Sequence, residues 1–495
     1  MNSQSLGRSR TFRNVELLLF IGLLAAYNIN LRQVSSYDTY ASRFVPISIL
    51  RDGDVILDEF VPEVLKQQAG DDFFSYYFFY VRGHFYDSHP PVGPMLALPV
   101  YALPVWIGIP ARAELIANMF SKLAASLMVA LSGVLIFRAS RQVLIPTLAG
   151  TPHDGEHATR VAVLAAIAYG LATGVWSTAS LAMWTHTPAV LGFAVVLWAL
   201  TTGRVAVAGV AAAAACVSRP ATAPAVALLG LYLAHRAWRD GWDSAGAAVR
   251  RMDVLRFSAA AAFTGLTGVL YNYWLFNNAV GGAPFRMPHG LEELGTGMFT
   301  GSLFIGLAGL TVSPSRGIVV YSPVVLAAVY GAARAWRSPL DSDRTAGPFG
   351  RADAVLLARY SSLAALAILL TYSKFTMWWG GHGYGPRYLT DAMPFLGPLF
   401  ALGLSPIFGR TSRAGARRIA VTAALTYSIV IQAIGAFCWP SSWTLNDNPP
   451  YRYRLWDWRE SDIELCIRDG PRIDPAARAV FTKLGFSRDR SRPRN

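Results

Sequence analysis

The sequence predicts an all-α membrane protein of about 11 transmembrane helices, with a large first external loop that carries interfacial helices. Three observations predict it. Of 495 residues, 53% are hydrophobic and only 15% charged, and the mean hydropathy is +0.34. Apolar segments near the roughly 20 residues needed to cross a hydrocarbon core recur from Val15 to Phe437. Arginines stand beside alternate ends of those segments, which is the pattern that orients a membrane protein.

The first segment, Val15 to Leu31, follows Arg8, Arg10 and Arg13 with no small-residue cleavage site, so it reads as a retained span with a cytoplasmic N-terminus. Residues 35–112 then form the first external loop. Within it Ala41 to Leu50 and Pro91 to Ile107 suit the membrane interface, and Pro90, Pro91, Pro94, Pro99 and Pro104 argue against one spanning helix. Further spans are expected near Ala113–Phe137, Val161–Trp176, Pro188–Leu200, Val205–Val217, Ala221–Ala237, Phe257–Leu275, Gly317–Ala335, Ala354–Tyr372, Leu389–Ile407 and Ile419–Phe437. Residues 1–437 thus make one membrane unit and 438–495 an external tail, in which Cys438 and Cys466 can pair if the tail meets an oxidising compartment. The formal net charge of +14 belongs to this orientation pattern rather than to nucleic acid. No phosphate-binding glycine loop, zinc-type spacing or serine-nucleophile motif is present, which excludes a soluble nucleotide-binding domain.

The candidate chemistry lies in the external loops. Asp38, a few residues beyond the first span, suits a general base that takes a proton from an attacking hydroxyl. Asp58 and Glu59 form a second acidic station, and with Asp38 and nearby histidines they are donors of the type that holds a divalent metal, at a spacing that is not diagnostic. Around Tyr86 and His89, the run HFYDSHPP offers rings to stack on a sugar and polar groups to bond its hydroxyls. Glu114, Asn118 and Lys122 share one helical face, so Lys122 either pairs with Glu114 or meets a lipid phosphate. The loop YSKFTMWWGGHGYGPRYL holds Lys374, Trp379, His382 and Arg387, and its two cations bracket a glycine turn able to seat a phosphate. Arg219 in SRP and Arg316 in SPSRG stand at span ends, where an anionic headgroup would lie.

These features resemble the GT-C membrane glycosyltransferases, which include protein O-mannosyltransferases, lipid A aminoarabinose transferases and bacterial lipopolysaccharide glycosyltransferases. The resemblance is best over Val15–Arg239 and rests on SSYDTYASRFVPISIL, on FYDSHPPVGPMLALPVY, where His89 stands in place of the usual lysine, and on ACVSRPATAP. It implies transfer of a sugar from a polyprenyl-phosphate carrier to a glycan, lipid or protein acceptor on the outer face of the bacterial cytoplasmic membrane. By the same resemblance Asp38 is the first-loop acid, although the family's Asp-Glu pair is Asp38-Thr39 here, with Asp58-Glu59 twenty residues later. A flippase for a lipid-linked saccharide and a non-catalytic envelope scaffold are the rival expectations; the absence of a visible internal repeat counts against the first.

Overall fold

The computed structural model describes residues 3–30, 32–34, 39–68, 78–108, 114–148, 154–239, 245–279, 281, 297–340, 349–381, 383–409, 415–439 and 454–472. Asp38 and His382 lie outside them. The chain is mostly helical, and four helices are long and apolar enough to cross a membrane: Ile116–Leu148, Ala248–Phe276, Arg351–Lys374 and Gly415–Cys438. Shorter apolar helices, among them His186–Thr201 and Val205–Ser218, accompany them, and the chain is a multi-pass membrane protein.

Each of the eleven expected segments falls on helix, but the count of eleven spans does not stand on these lengths. The segment from Gly317 is broken into Ile318–Tyr321 and Val325–Arg337, and that from Leu389 opens with a 3-10 turn, Arg387–Ala392, before the helix Met393–Leu404. A further apolar helix, Leu303–Val312, was not expected, because its 10 residues are about half the run that marks a span. Buried backbone exposed by these breaks is satisfied from a neighbouring helix: Gln432 Nε2 donates to Tyr321 O (3.3 Å) and Ser322 Oγ (3.1 Å), while its Oε1 accepts from Ser177 Oγ (2.5 Å).

The helix Glu114–Leu148 is the axis of the bundle. Its apolar window is 78% buried, against 6% for Ala248–Phe276, which sits at the periphery on Val205–Ser218 and Ala223–Arg239. Glu16 in the first helix takes a two-point ion pair from Arg138 (2.7 and 2.6 Å), which locks that helix to the axis. Where Val325–Arg337 crosses Met393–Leu404, glycines face backbone on both sides. A Cβ on Gly331 would meet Leu399 O at 1.9 Å, and one on Gly403 would meet Ala327 O at 1.9 Å.

The all-α expectation fails in the first loop. Phe78–Val81 (β1) and His84–Asp87 (β2) pair antiparallel, Phe78 opposite Asp87 and Val81 opposite His84. Arg82 (φ 55°) and Gly83 (φ 82°) make the turn, both left-handed as a two-residue hairpin requires. Arginine in place of the usual Asn or Asp hides that signal. The hairpin is packed by aromatic contact, Phe79 on Phe276 (5.1 Å) and Tyr86 edge-on to Trp274 (6.2 Å). Beyond it, Val92–Trp106 is one 15-residue helix that runs through Pro99 and Pro104, so the prolines do not interrupt it. At about 1.5 Å per residue it is too short to cross the core, and Leu103 and Trp106, 64% and 90% exposed, mark an interfacial face.

The described part of the tail is fastened to the bundle. Arg32 donates to Phe437 O (2.7 Å) and Trp439 O (2.5 Å), Ser313 Oγ donates to Leu455 O, and Arg316 pairs with Asp462 in the helix Asp462–Asp469. Cys438 and Cys466 are both free and buried, not paired, and burial pushes the Cys466 thiol up.

The glycine crossing predicts that Gly331→Val and Gly403→Val each cost about 1–3 kcal/mol through forced backbone separation, read as a lower melting temperature in detergent. Gly22→Ala, with nothing within 4 Å of the added carbon, is expected to melt as the native protein does. Removing one partner of the buried Arg316–Asp462 pair should cost about 3–5 kcal/mol locally. Asp462→Asn is therefore expected to expose residues 454–472 to limited proteolysis, and unchanged protection would show that the pair does not hold the tail.

Candidate functional site: a cationic and aromatic cluster

One stretch of backbone draws the site together. After the π-turn Val175–Ala179 the chain passes through further turns to the helix His186–Thr201, and the segment after the first helix lies along it. Val34 N donates to Leu181 O (3.3 Å), and Trp184 Nε1 donates back to Val34 O (3.1 Å). Ser121 Oγ on the axial helix accepts from Gln33 Nε2 (3.2 Å) and Met183 N (3.3 Å). Beside it Lys122, 7% exposed, donates to Ser180 O at 3.2 Å rather than standing open to a ligand. Later in the first loop, Ser42 Oγ donates to Asp87 Oδ2 (2.5 Å) and Arg43 bonds Asn118 Oδ1.

Trp184 leads to the arginines. The Arg387 guanidinium lies 5.0 Å from the Trp184 ring centroid and 5.4 Å from that of Tyr388. Arg219 lies 5.5 Å from the same Tyr388 ring and 5.5 Å from Tyr372, and these two tyrosines stack at 4.5 Å with planes 8° apart. Two candidate arginines, remote in sequence, thus share one aromatic platform.

Beneath them sits Asp391, 0% exposed, in the same 3-10 turn as Arg387. Its Oδ1 faces His186 Nδ1 at 2.8 Å, and its Oδ2 accepts from Tyr372 OH (3.0 Å) and Arg219 Nε (3.2 Å). Arg219 also donates from Nη1 to Thr185 Oγ1 (3.3 Å) and from Nη2 to Tyr372 OH. Asp391, Tyr372, Tyr388 and Trp184 were missed in the sequence because an isolated polar residue at the edge of an apolar run looks like a helix end. The available signal was the cost of an acid at that depth.

The glycines of the 378–387 loop serve the protein rather than a ligand. A Cβ on Gly383 would meet Arg387 Cδ at 2.1 Å, and one on Gly380 would meet Arg387 Cγ at 3.2 Å, so these residues form the bed in which Arg387 lies. Lys374 is exposed at the end of its helix, and no described contact joins it to the cluster.

The other candidates take structural duties. Asp58 accepts from Phe85 N (2.7 Å) and faces His84 Nδ1 (2.7 Å), clasping the hairpin, while Glu59 pairs with Arg51 on the surface. Neither meets the cluster among the described contacts. His89 Nδ1 lies 3.1 Å from Asp87 Oδ1 and its ring is buried. Tyr86 is buried against Trp274, and burial raises its phenol above the ordinary value. Arg316 is fully buried, giving Nε to Trp379 O (2.6 Å), Nη1 to Ser315 O (2.7 Å) and Nη2 to Gly381 O (3.1 Å) besides its pair with Asp462; it is a fastener and not a phosphate ligand. Trp379 is half-buried beside Trp378 (6.0 Å). Among the described residues no group of three or more His, Cys, Asp or Glu is placed to hold a metal.

The class this defines is a helical multi-pass membrane protein with a buried ionic cluster at the end of the bundle where the first loop begins. No family profile and no curated protein matches the sequence. Among solved structures it is similar to ArnT from Cupriavidus metallidurans bound to undecaprenyl phosphate, at 14% identity and a TM-score of 0.46 over 95% of this chain and 75% of that one. It is similar also to the Archaeoglobus fulgidus oligosaccharyltransferase in complex with Zn and sulfate, at 14% identity and 0.46, over 93% of this chain and 59% of that one. These are distant likenesses, and the chemistry is argued from the side chains.

Proposed function

We propose that this protein transfers a sugar from a polyprenyl-phosphate carrier to the hydroxyl of a glycan, lipid or protein acceptor at the outer face of the cytoplasmic membrane. The observation that carries the reading is the convergence of Arg219 and Arg387 on the Tyr388 ring, beside the backbone that leads into the Asp38 loop through Val34 and Trp184. A phosphate monoester is small and strongly charged, and two guanidiniums on an aromatic, partly desolvated platform are matched to it.

In this reading the acceptor oxygen attacks the anomeric carbon, its proton passes to the Asp38 carboxylate, and the bond from that carbon to the carrier phosphate breaks. The electron pair leaves on the phosphate, where Arg219 and Arg387 meet the developing charge. Lys374, Trp379 and His382 are left with supporting roles in lining the donor and acceptor paths, while Lys122, His89 and Tyr86 are engaged with the chain itself. The orientation that places Asp38 outside follows from the arginine distribution.

Reconstitution in liposomes with a polyprenyl-phosphate-linked sugar tests the proposal. Asp38→Asn is expected to lower the transfer rate roughly 100- to 10,000-fold, as loss of a general base does, and Arg387→Ala roughly 100-fold or more through lost charge stabilisation. Native rates in a folded Asp38→Asn protein would remove Asp38 from the chemistry. Movement of a lipid-linked saccharide between leaflets without sugar consumption would replace the enzyme with a flippase.

Orientation has a separate check. A single cysteine appended to the C-terminus of an otherwise cysteine-free protein is expected to react with an impermeant maleimide added outside intact cells. Labelling only after lysis would invert the assignment.

A further inference from the structure

The carboxylate of Asp391 has no part in the reaction written above, yet it is fully buried and engaged on both oxygens. It is 0% exposed and takes donors from three elements: His186 at the start of His186–Thr201, Arg219 just after Val205–Ser218, and Tyr372 near the end of Arg351–Lys374. It stands four residues after Arg387 in one 3-10 turn.

Consider the donors of Arg219. A guanidinium has five N–H groups. Nε–H goes to Asp391, one Nη1–H to Thr185 and one Nη2–H to Tyr372. Two are left by the contacts among the described residues, and the side chain is 18% exposed. What fixes the guanidinium is the bond at Nε together with Tyr372, whose hydroxyl donates to Asp391 and accepts from Arg219. Without the acid, Arg219 and Arg387 are two like charges sharing the Tyr388 ring, and their repulsion would part them. The carboxylate offsets one charge and leaves the trio, counted with a neutral His186, at +1. That suits a phosphate better than a bare pair of repelling cations or a neutralised pair.

We infer that Asp391 is the positioning residue of this site, holding Arg219 by its Nε edge and Arg387 by their common turn so that both guanidiniums address one phosphate. The inference rests on the carrier-phosphate reading, and it makes the turn Arg387–Ala392 a single binding element in which the acid sets selectivity for a phosphorylated over a neutral headgroup.

The test measures the affinity of the full-length protein in nanodiscs for polyprenyl monophosphate and for the unphosphorylated polyprenol, by native mass spectrometry. The readout is the ratio of the two, because damage to packing lowers both alike while loss of positioning lowers only the first. Native protein is expected to favour the phosphate. Asp391→Asn and Tyr372→Phe should each reduce that preference roughly 10- to 100-fold, the scale of one charge-assisted hydrogen bond, and Asp391→Glu should recover part of it. If Asp391→Asn fails to fold, Tyr372→Phe and Asp391→Glu carry the same test. A native protein without preference would sink the carrier-phosphate reading itself. A preference abolished by Arg219→Ala and Arg387→Ala but intact in the Tyr372 and Asp391 variants would leave that reading standing and overturn the role of Asp391.

Discussion

The end of the bundle that holds the site depends on one buried carboxylate. Taking Asp391 out of water costs several kcal/mol, and only its partners offset that: the 2.8 Å contact with His186, the Tyr372 hydroxyl and the Arg219 guanidinium. Because these come from separate helices, the compensation is complete only in one arrangement of the bundle. Stability and site geometry are therefore the same constraint. The aromatic stack of Tyr372 on Tyr388 strengthens it by excluding water from the ionic contacts, where a lower local dielectric makes each of them worth more.

The same economy operates deeper in the bundle at the backbone breaks. Irregular backbone is tolerated in a membrane only where its polar groups find protein partners. Gln432 meets that need at Tyr321 and Ser322, and Lys122 helps at Ser180. Lys122 looks functional in the sequence, since an ammonium in an apolar run invites a ligand. Here it and Gln432 are each engaged with the chain itself, Gln432 at Tyr321, Ser322 and Ser177 and Lys122 at Ser180, which precedes the helix His186–Thr201.

How much was legible follows from the range of each interaction. Helix positions were legible because burial in lipid imposes a composition on every residue of a span, and Arg219 and Arg387 stood out as cations at the ends of such runs. The hairpin was not, since FFYVRGHFYD lacks polar alternation and its turn carries Arg82 where Asn or Asp would have announced it. Leu303–Val312, at 10 residues, is shorter than the apolar run that marks a span. Asp391 was hidden for a different reason: its meaning lies in partners 172 and 205 residues away, and no local pattern encodes them.

Arg316 and Arg219 show why residue type at a span end does not identify a ligand site. Each follows a short Ser-containing motif at the end of an apolar helix and each contacts a buried acid, Asp462 in one case and Asp391 in the other. The difference is in what remains after the protein has been served. Arg316 is enclosed, with all three nitrogens turned onto carbonyls or Asp462, so a phosphate could approach only by unfolding the tail. Among the described contacts Arg219 commits three N–H groups and leaves two, and its side chain, 18% exposed, lies near a tyrosine ring that a second arginine also approaches. A fastening arginine wants its donors exhausted, because an unspent buried N–H costs free energy. A binding arginine must keep some unspent at the solvent edge, where water satisfies them until an anion arrives. By that criterion Arg316 closes the glycine-rich loop against the tail, and Arg219 is the arginine with donors to offer.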